Sequence, residues 1–224
     1  MSDADIVGFV IDSDERVGGG GFLEIRRVRM RNRRADGSVS PPYVCDSIAR
    51  PYGQDAVVVA VYTRSAEGTV DVLLRDGLRP ALPLGRDPAL APLPEPAPAR
   101  MLAELVAGIV ETGDRGERGL RTRAAHEVLE EAGFVVDPTA VQLLGAGAYP
   151  SPGSMIEKFY FAAVEVDPRA QLPLEGDGSP MEEGARTRWM AIDAAIDACV
   201  RGELCDLKTE TCLRRLRDHL HAGH

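Results

Sequence analysis

Residues 22–34, FLEIRRVRMRNRR, alternate apolar and charged positions: Val28 and Met30 interleave with Arg27, Arg29 and Arg31. A period of two predicts a strand with one apolar and one basic face. The turn-forming Ala35-Asp36-Gly37-Ser38 follows, and Pro42–Ile48 resumes the run, so the pair reads as a hairpin. Gly18 to Gly21 mark the expected start of ordered structure; no G-x-x-x-x-G-K-[ST] pattern follows them, so they do not form a phosphate loop. The main core is expected from Ala56. AVVVAVYT and VDVLLR, separated by Arg64-Ser65-Ala66-Glu67-Gly68, form a second hairpin. Residues 83–100 hold six prolines and no periodicity, which predicts an excursion without regular structure. From Met101 the pattern returns with ELVAGIVE as one strand, then a helix over 120–132 ended by Gly133. Strands are expected around 141–144, 159–166 and 187–192, and helices over 193–201 and 208–221. The order of elements is that of a mixed α/β (α+β) protein.

The helix before Gly133 carries the chemistry. Glu127, Glu130 and Glu131 stand at i, i+3 and i+4 and share one helical face. Ala125, Val128, Leu129 and Ala132 supply the apolar face that docks the helix on a sheet. Three carboxylates this close repel one another unless a cation neutralises them, and hard oxygen ligands suit magnesium or manganese. The plainer alternative is a solvated acidic face.

Composition narrows the partners. A formal net charge of -9 argues against nucleic acid, which is bound by clustered Lys and Arg. The basic face of residues 26–34 therefore reads as a solvated strand face or a dimer seam rather than an RNA-binding ribbon. The chain has no apolar run near the ~20 residues that span a membrane, and MSDADIVGFVIDSDER is not a signal peptide, so a cytoplasmic protein is expected. Cys45, Cys199, Cys205 and Cys212 lack the paired spacing of a zinc site; Cys205 and Cys212 are expected to pack as small apolar groups. His219, His221 and His224 belong to an expected frayed tail.

Residues 108–134 resemble the Nudix box, G-x5-E-x7-R-E-U-x-E-E-x-G-U, where U is a bulky aliphatic residue and Phe134 stands at the last U. Glu127-Val128-Leu129-Glu130-Glu131-Ala132-Gly133-Phe134 matches its second half, and Ala107-Gly108-Ile109-Val110-Glu111-Thr112-Gly113 resembles its opening. Two departures stand out. His126 occupies the place of the arginine that braces the neighbouring glutamates. The first glutamate of the box falls on Asp114, with four extra residues before His126 and Glu117 as the other candidate. Outside the box, Tyr149-Pro150-Ser151-Pro152-Gly153 with Glu157 resembles the segment that follows it in ADP-ribose pyrophosphatases, where a proline stands about 16 residues on, as Pro150 does here. Leu78-Arg79-Pro80, Glu104-Leu105-Val106-Ala107-Gly108, Trp189 and Asp206-Leu207-Lys208-Thr209 are similar to further segments of that subgroup.

The resemblance implies a Nudix fold, a mixed β-sheet sandwiched between helices, over residues 53–224, with 83–100 as an insertion. Residues 1–52, including Arg50-Pro51, resemble the small β domain through which such enzymes form intertwined homodimers. It implies magnesium, replaceable by manganese, held by Glu127, Glu131 and the carbonyl of Ala107, with Glu130 assisting. Arg79 is expected at the phosphates or terminal ribose, Glu104 at the nucleobase or sugar, and Arg50 across the dimer. A loop glutamate, Glu182 or Glu183, activates water, and Glu157 helps position the substrate. The implied reaction is hydrolysis of the pyrophosphate bond of a nucleoside diphosphate sugar, ADP-ribose to AMP and ribose 5-phosphate. UDP-glucose or a related sugar nucleotide is the alternative substrate, and a binding module that has lost catalysis is the alternative class.

Overall fold

The computed structural model describes residues 5–50, 53–94, 98–174 and 179–222. It divides into two compact units: residues 1–55 with 149–158, and residues 56–148 with 159–224. Of the sequence expectations, Pro51, part of the proline-rich stretch, part of the loop before Glu182, and His224 lie outside the described residues.

The first unit is a three-stranded antiparallel sheet of β1 (Ile6–Val17), β2 (Glu24–Arg34) and β3 (Tyr43–Ala49), with β2 central. The β2–β3 hairpin is the one its alternation predicts. Order begins earlier than expected, because β1 precedes the glycines and pairs with the whole of β2. Gly18 and Gly20, both at positive φ, instead turn the chain from β1 into β2. Arginines from both faces of β2 meet acids on its neighbours: Arg31 pairs with Asp12 and Arg27 with Asp46 on the basic face, and Arg26 with Asp14 on the other.

The second unit is built on a mixed sheet in the order β10 (Thr187–Ala191), β5 (Val70–Leu78), β4 (Ala56–Arg64), β9 (Phe159–Glu165), β8 (Gln142–Leu143). Only β4 and β9 run parallel among these pairs. Alternate residues of β4 enter opposite cores, as a period of two requires. Val57, Val59 and Val61 pack with Ala124, Ala125, Val128 and Ala132 of α2 (Gly116–Ala132). Val58, Ala60 and Tyr62 pack with α3 (Ile192–Val200) and α4 (Leu207–Ala222). The sheet is thus sandwiched between helices. Cys199 and Cys212 pack in this second core while Cys205 is exposed, so the apolar role expected of Cys205 falls to Cys199. The expected frayed tail is helical to Ala222, with His219 hydrogen-bonded to Gln142.

Three local differences shape the site. The predicted strand ELVAGIVE is two strands: β6 (Met101–Glu104) pairs with β5, and β7 (Val106–Ile109) pairs with β4. At the break, the Leu105 N–H, which has no ladder partner, donates to the buried Thr209 hydroxyl at 2.9 Å. The carboxylate helix starts at Gly116 rather than 120, and its solvent face includes Leu129, 41% exposed, while Ala124 is buried in its place. The proline-rich excursion holds a short helix, α1 (Ala81–Gly85), and a 3-10 turn at Pro88–Leu90. Gly133 caps α2 at φ 73°, its N–H returning to Leu129 O, as only glycine does without strain.

Candidate active site

Burial of Ala124, Ala125, Val128 and Ala132 on the sheet turns Glu127 and Glu131 inward over β7. The Glu127 carboxylate lies directly against Gly108: a Cβ built there would sit 1.9 Å from the Glu127 Cδ. Only a glycine leaves that space. Glu131 Oε2 accepts the Ala107 N–H at 3.0 Å. Ala107 stands opposite Val58 in the ladder, and an N–H turned away from β4 carries the same residue's carbonyl with it. The carbonyl therefore faces the side of the sheet edge where Glu131 lies.

Burial, with Glu131 and Glu130 beside it, pushes the Glu127 carboxyl up to about 7. Burial likewise raises Glu131, against the opposing pull of Arg75 and of the Ala107 N–H. Buried, mutually repelling carboxylates of this kind are relieved by a cation. Ligand atoms of His126, Glu127 and Glu130 lie within 4.8 Å of one another. Oxygen donors predominate in this corner, and the Gly108 gap admits the Glu127 carboxylate, so the residues present fit a hard divalent ion.

Two arginines outside the sequence-level candidates organise these acids. Arg123, one turn before Glu127, donates to Asp114 at 2.8 Å, pairs with Glu111 at 2.9 Å and lies 3.7 Å from Glu127. His126 is instead exposed and faces Glu130 at 3.3 Å. Arg123, three residues before His126, is thus the arginine that meets the acids of this corner. Asp114 is the acid it meets, whereas Glu117 lies in the first turn of α2, 77% exposed and 3.7 Å from Arg121.

Arg75 is the second. On β5, Val72 and Leu74 enter the α3–α4 core and Leu73 the α2 core, so Arg75 also faces α2. Its guanidinium lies 3.1 Å from Glu131 and 2.8 Å from Glu182. A charged residue closing a buried run, VDVLLR, was the available sequence signal. Of the two loop glutamates, Glu182 is thereby brought beside Glu131, while Glu183 is exposed.

Arg79 and Glu104 meet in a bidentate pair, Nε and Nη2 each 2.7 Å from a carboxylate oxygen. Glu104 also accepts from Lys208 Nζ at 2.6 Å, and Lys208 is held by Asp206. Its carboxyl, buried but flanked by the Arg79 and Lys208 cations, titrates below the ordinary range. Asp206 further accepts from the Thr209 N–H and hydroxyl, which fixes the start of α4 against the β6–β7 break. Arg75, Gly77, Arg79, Glu104, Ala107 and Glu131 line one cleft. Arg50 and Glu157 belong to the first unit, where they form an ion pair with side chains 10% and 16% exposed.

No protein-family model matches the chain, and no curated protein does. Solved structures do. A crystal structure of an ADP compounds hydrolase aligns with a TM-score of 0.66 at 14% identity, covering 98% of this chain and 97% of that one. A NUDIX hydrolase from Alicyclobacillus acidocaldarius aligns at 0.46 and 13% identity over 72% and 89% of the two chains. A Nudix hydrolase from M. smegmatis aligns at 0.39 and 16% identity over 84% and 93%. At such identities the first alignment establishes a shared fold along nearly the whole chain.

Proposed function

We propose that this chain, which has the Nudix fold, is a divalent-metal-dependent hydrolase of the pyrophosphate bond in a nucleoside diphosphate sugar, with ADP-ribose cleaved to AMP and ribose 5-phosphate. The observation that carries this reading is the corner formed by Glu127 on Gly108, Glu131 on Ala107, and the Arg75–Glu182 pair beside them. The ADP compounds hydrolase that shares the fold supports the substrate class.

Magnesium, or manganese in its place, offsets the charge of the phosphates and lowers the pKa of a bound water. Glu127, Glu131 and the Ala107 carbonyl would hold the ion, with Glu130 and His126 at its exposed side. Glu182, rather than Glu183, is the residue we assign to accept the proton of the attacking water, because it alone of the two reaches Arg75. Arg79 presents a planar guanidinium suited to phosphate oxygens, and Glu104 with Lys208 fixes its orientation. Glu104 then acts through Arg79 rather than on the nucleobase, since both its oxygens are engaged.

The chain acts as a homodimer through its first unit in this proposal. The three-stranded sheet leaves Phe9 and Ile11 exposed on the face it shares with Met30, and Ile25 and Val44 exposed on the opposite face, apolar positions a second copy would cover. A sedimentation mass equal to one chain would reject the dimer. For the activity, the test is monophosphate release from a panel of nucleoside diphosphate sugars with magnesium. Turnover of ADP-ribose above UDP-glucose is expected; a folded protein that turns over none of them would sink the enzyme reading.

A further inference from the structure

We infer that Arg75 is an anion-binding residue of this site, held as the counter-cation of Glu131 until a divalent ion takes that carboxylate. The inference rests on the metal-site reading above. Three observations carry it. Arg75 is more than nine-tenths buried, yet its Nε has no hydrogen-bond partner among the described residues. A buried guanidinium with an orphaned donor is costly and needs a reason. Its two terminal nitrogens are shared between Glu131 on the helix and Glu182 on the loop, the one a proposed ligand and the other the proposed base.

The third observation is the cleft itself. Arg75 and Gly77 on β5 and Arg79 just past its end follow one another at every second residue, so two arginines flank a position with no side chain. The cleft they line has a free volume of about 10 Å³, room for about one water and far too small for a diphosphate. What closes it are ion pairs, Arg75 with Glu131 and Arg79 with Glu104. When Glu131 turns to a cation, Arg75 loses that partner and keeps Glu182. Its Nη1, freed from Glu131, then donates to a phosphate oxygen while the planar guanidinium keeps Nη2 on Glu182, a pair of directions a single ammonium does not reproduce. Metal and anion binding are thereby coupled through one side chain, and the coupling is reciprocal.

The test compares the full-length protein with Arg75→Lys and Arg75→Met by calorimetry, with magnesium pyrophosphate as the anion probe and manganese as the metal probe. Arg75→Lys keeps the charge beside Glu131 and Glu182 but loses the fork. It is expected to bind pyrophosphate about tenfold more weakly in excess magnesium and equally well in EDTA, where Arg75 is already engaged. Arg75→Met removes the competitor for Glu131, and manganese should bind about tenfold more tightly to it. An equal loss of pyrophosphate affinity with and without magnesium, or manganese affinity unchanged or lowered in folded Arg75→Met, would overturn the assignment. If Arg75→Met does not fold, the Arg75→Lys comparison decides alone. Normal binding coupling in a wild-type protein that turns over no sugar nucleotide would refute the hydrolase reading and leave the role of Arg75 standing.

Discussion

Arginine–carboxylate pairs organise both units of this protein, and they do different things. In the three-stranded sheet, Arg26–Asp14, Arg27–Asp46 and Arg31–Asp12 have separations of 2.6, 2.7 and 3.0 Å, with guanidiniums 40% to 47% exposed to water. Around the carboxylate helix, Arg123–Asp114 and Arg75–Glu182 both have separations of 2.8 Å, but these guanidiniums are only 14% and 10% exposed. Bond length does not distinguish the two sets; solvent does. Exposed pairs exchange one hydrated arrangement for another and contribute little. Buried pairs have lost their hydration, so removing one partner leaves a charge stranded. Each buried arginine also serves more than one acid, which links helix, strand and loop.

The sharpest break of this contrast comes at the acids. Glu131→Gln is expected to lower turnover about 10³-fold or more with the fold retained, since a ligand is lost while volume is kept. Near-normal turnover would refute the metal assignment. Glu127→Gln should do the same to activity and the reverse to stability. Its folded carboxyl titrates near 7, above its unfolded value, so the stability it allows is present at low pH and lost as pH rises through about 7. In EDTA at pH 8 the Gln variant should therefore be more stable than wild type by about 2 kcal/mol, and the difference should vanish near pH 4.5. Denaturant melts at the two pH values check this.

Arg123 and His126 sharpen the comparison within one helix. Arg123→Met leaves Glu111, Asp114 and Glu127 unneutralised and should cost about 3 kcal/mol in denaturant unfolding. His126→Ala, at the position where the box carries its arginine, should stay within about 0.5 kcal/mol. Equal effects would mean that the brace has not moved. The smallest effect belongs to the first unit: Arg27→Gln or Asp46→Asn should leave Tm within about 2 °C by calorimetry.

The elements of the second unit were legible because their signals are local. Alternation in AVVVAVYT and VDVLLR, the Gly133 stop and the i, i+3, i+4 spacing of the glutamates each follow from a few neighbouring residues. β1 was missed because Ile6–Val17 mixes acids with apolar residues and precedes a glycine run that reads as a boundary. Leu105 gave no sign of the strand break, since the group that makes it tolerable, Thr209, lies 104 residues away.

For the site, sequence alone determined that Glu127, Glu130 and Glu131 share a helical face, because helical pitch decides that by itself. It also supplied the glycine at 108 and the arginine at 79. Tertiary structure decided what each does. It set Glu127 against Gly108, gave Arg79 to Glu104, and chose Glu182 over Glu183 as the neighbour of Arg75. It paired Arg123 rather than His126 with Glu127 and set Arg75 beside Glu131. The physical reason is that a charge acquires its role from the partners and the water around it. Those are fixed by packing between elements far apart in the chain, which no local pattern records.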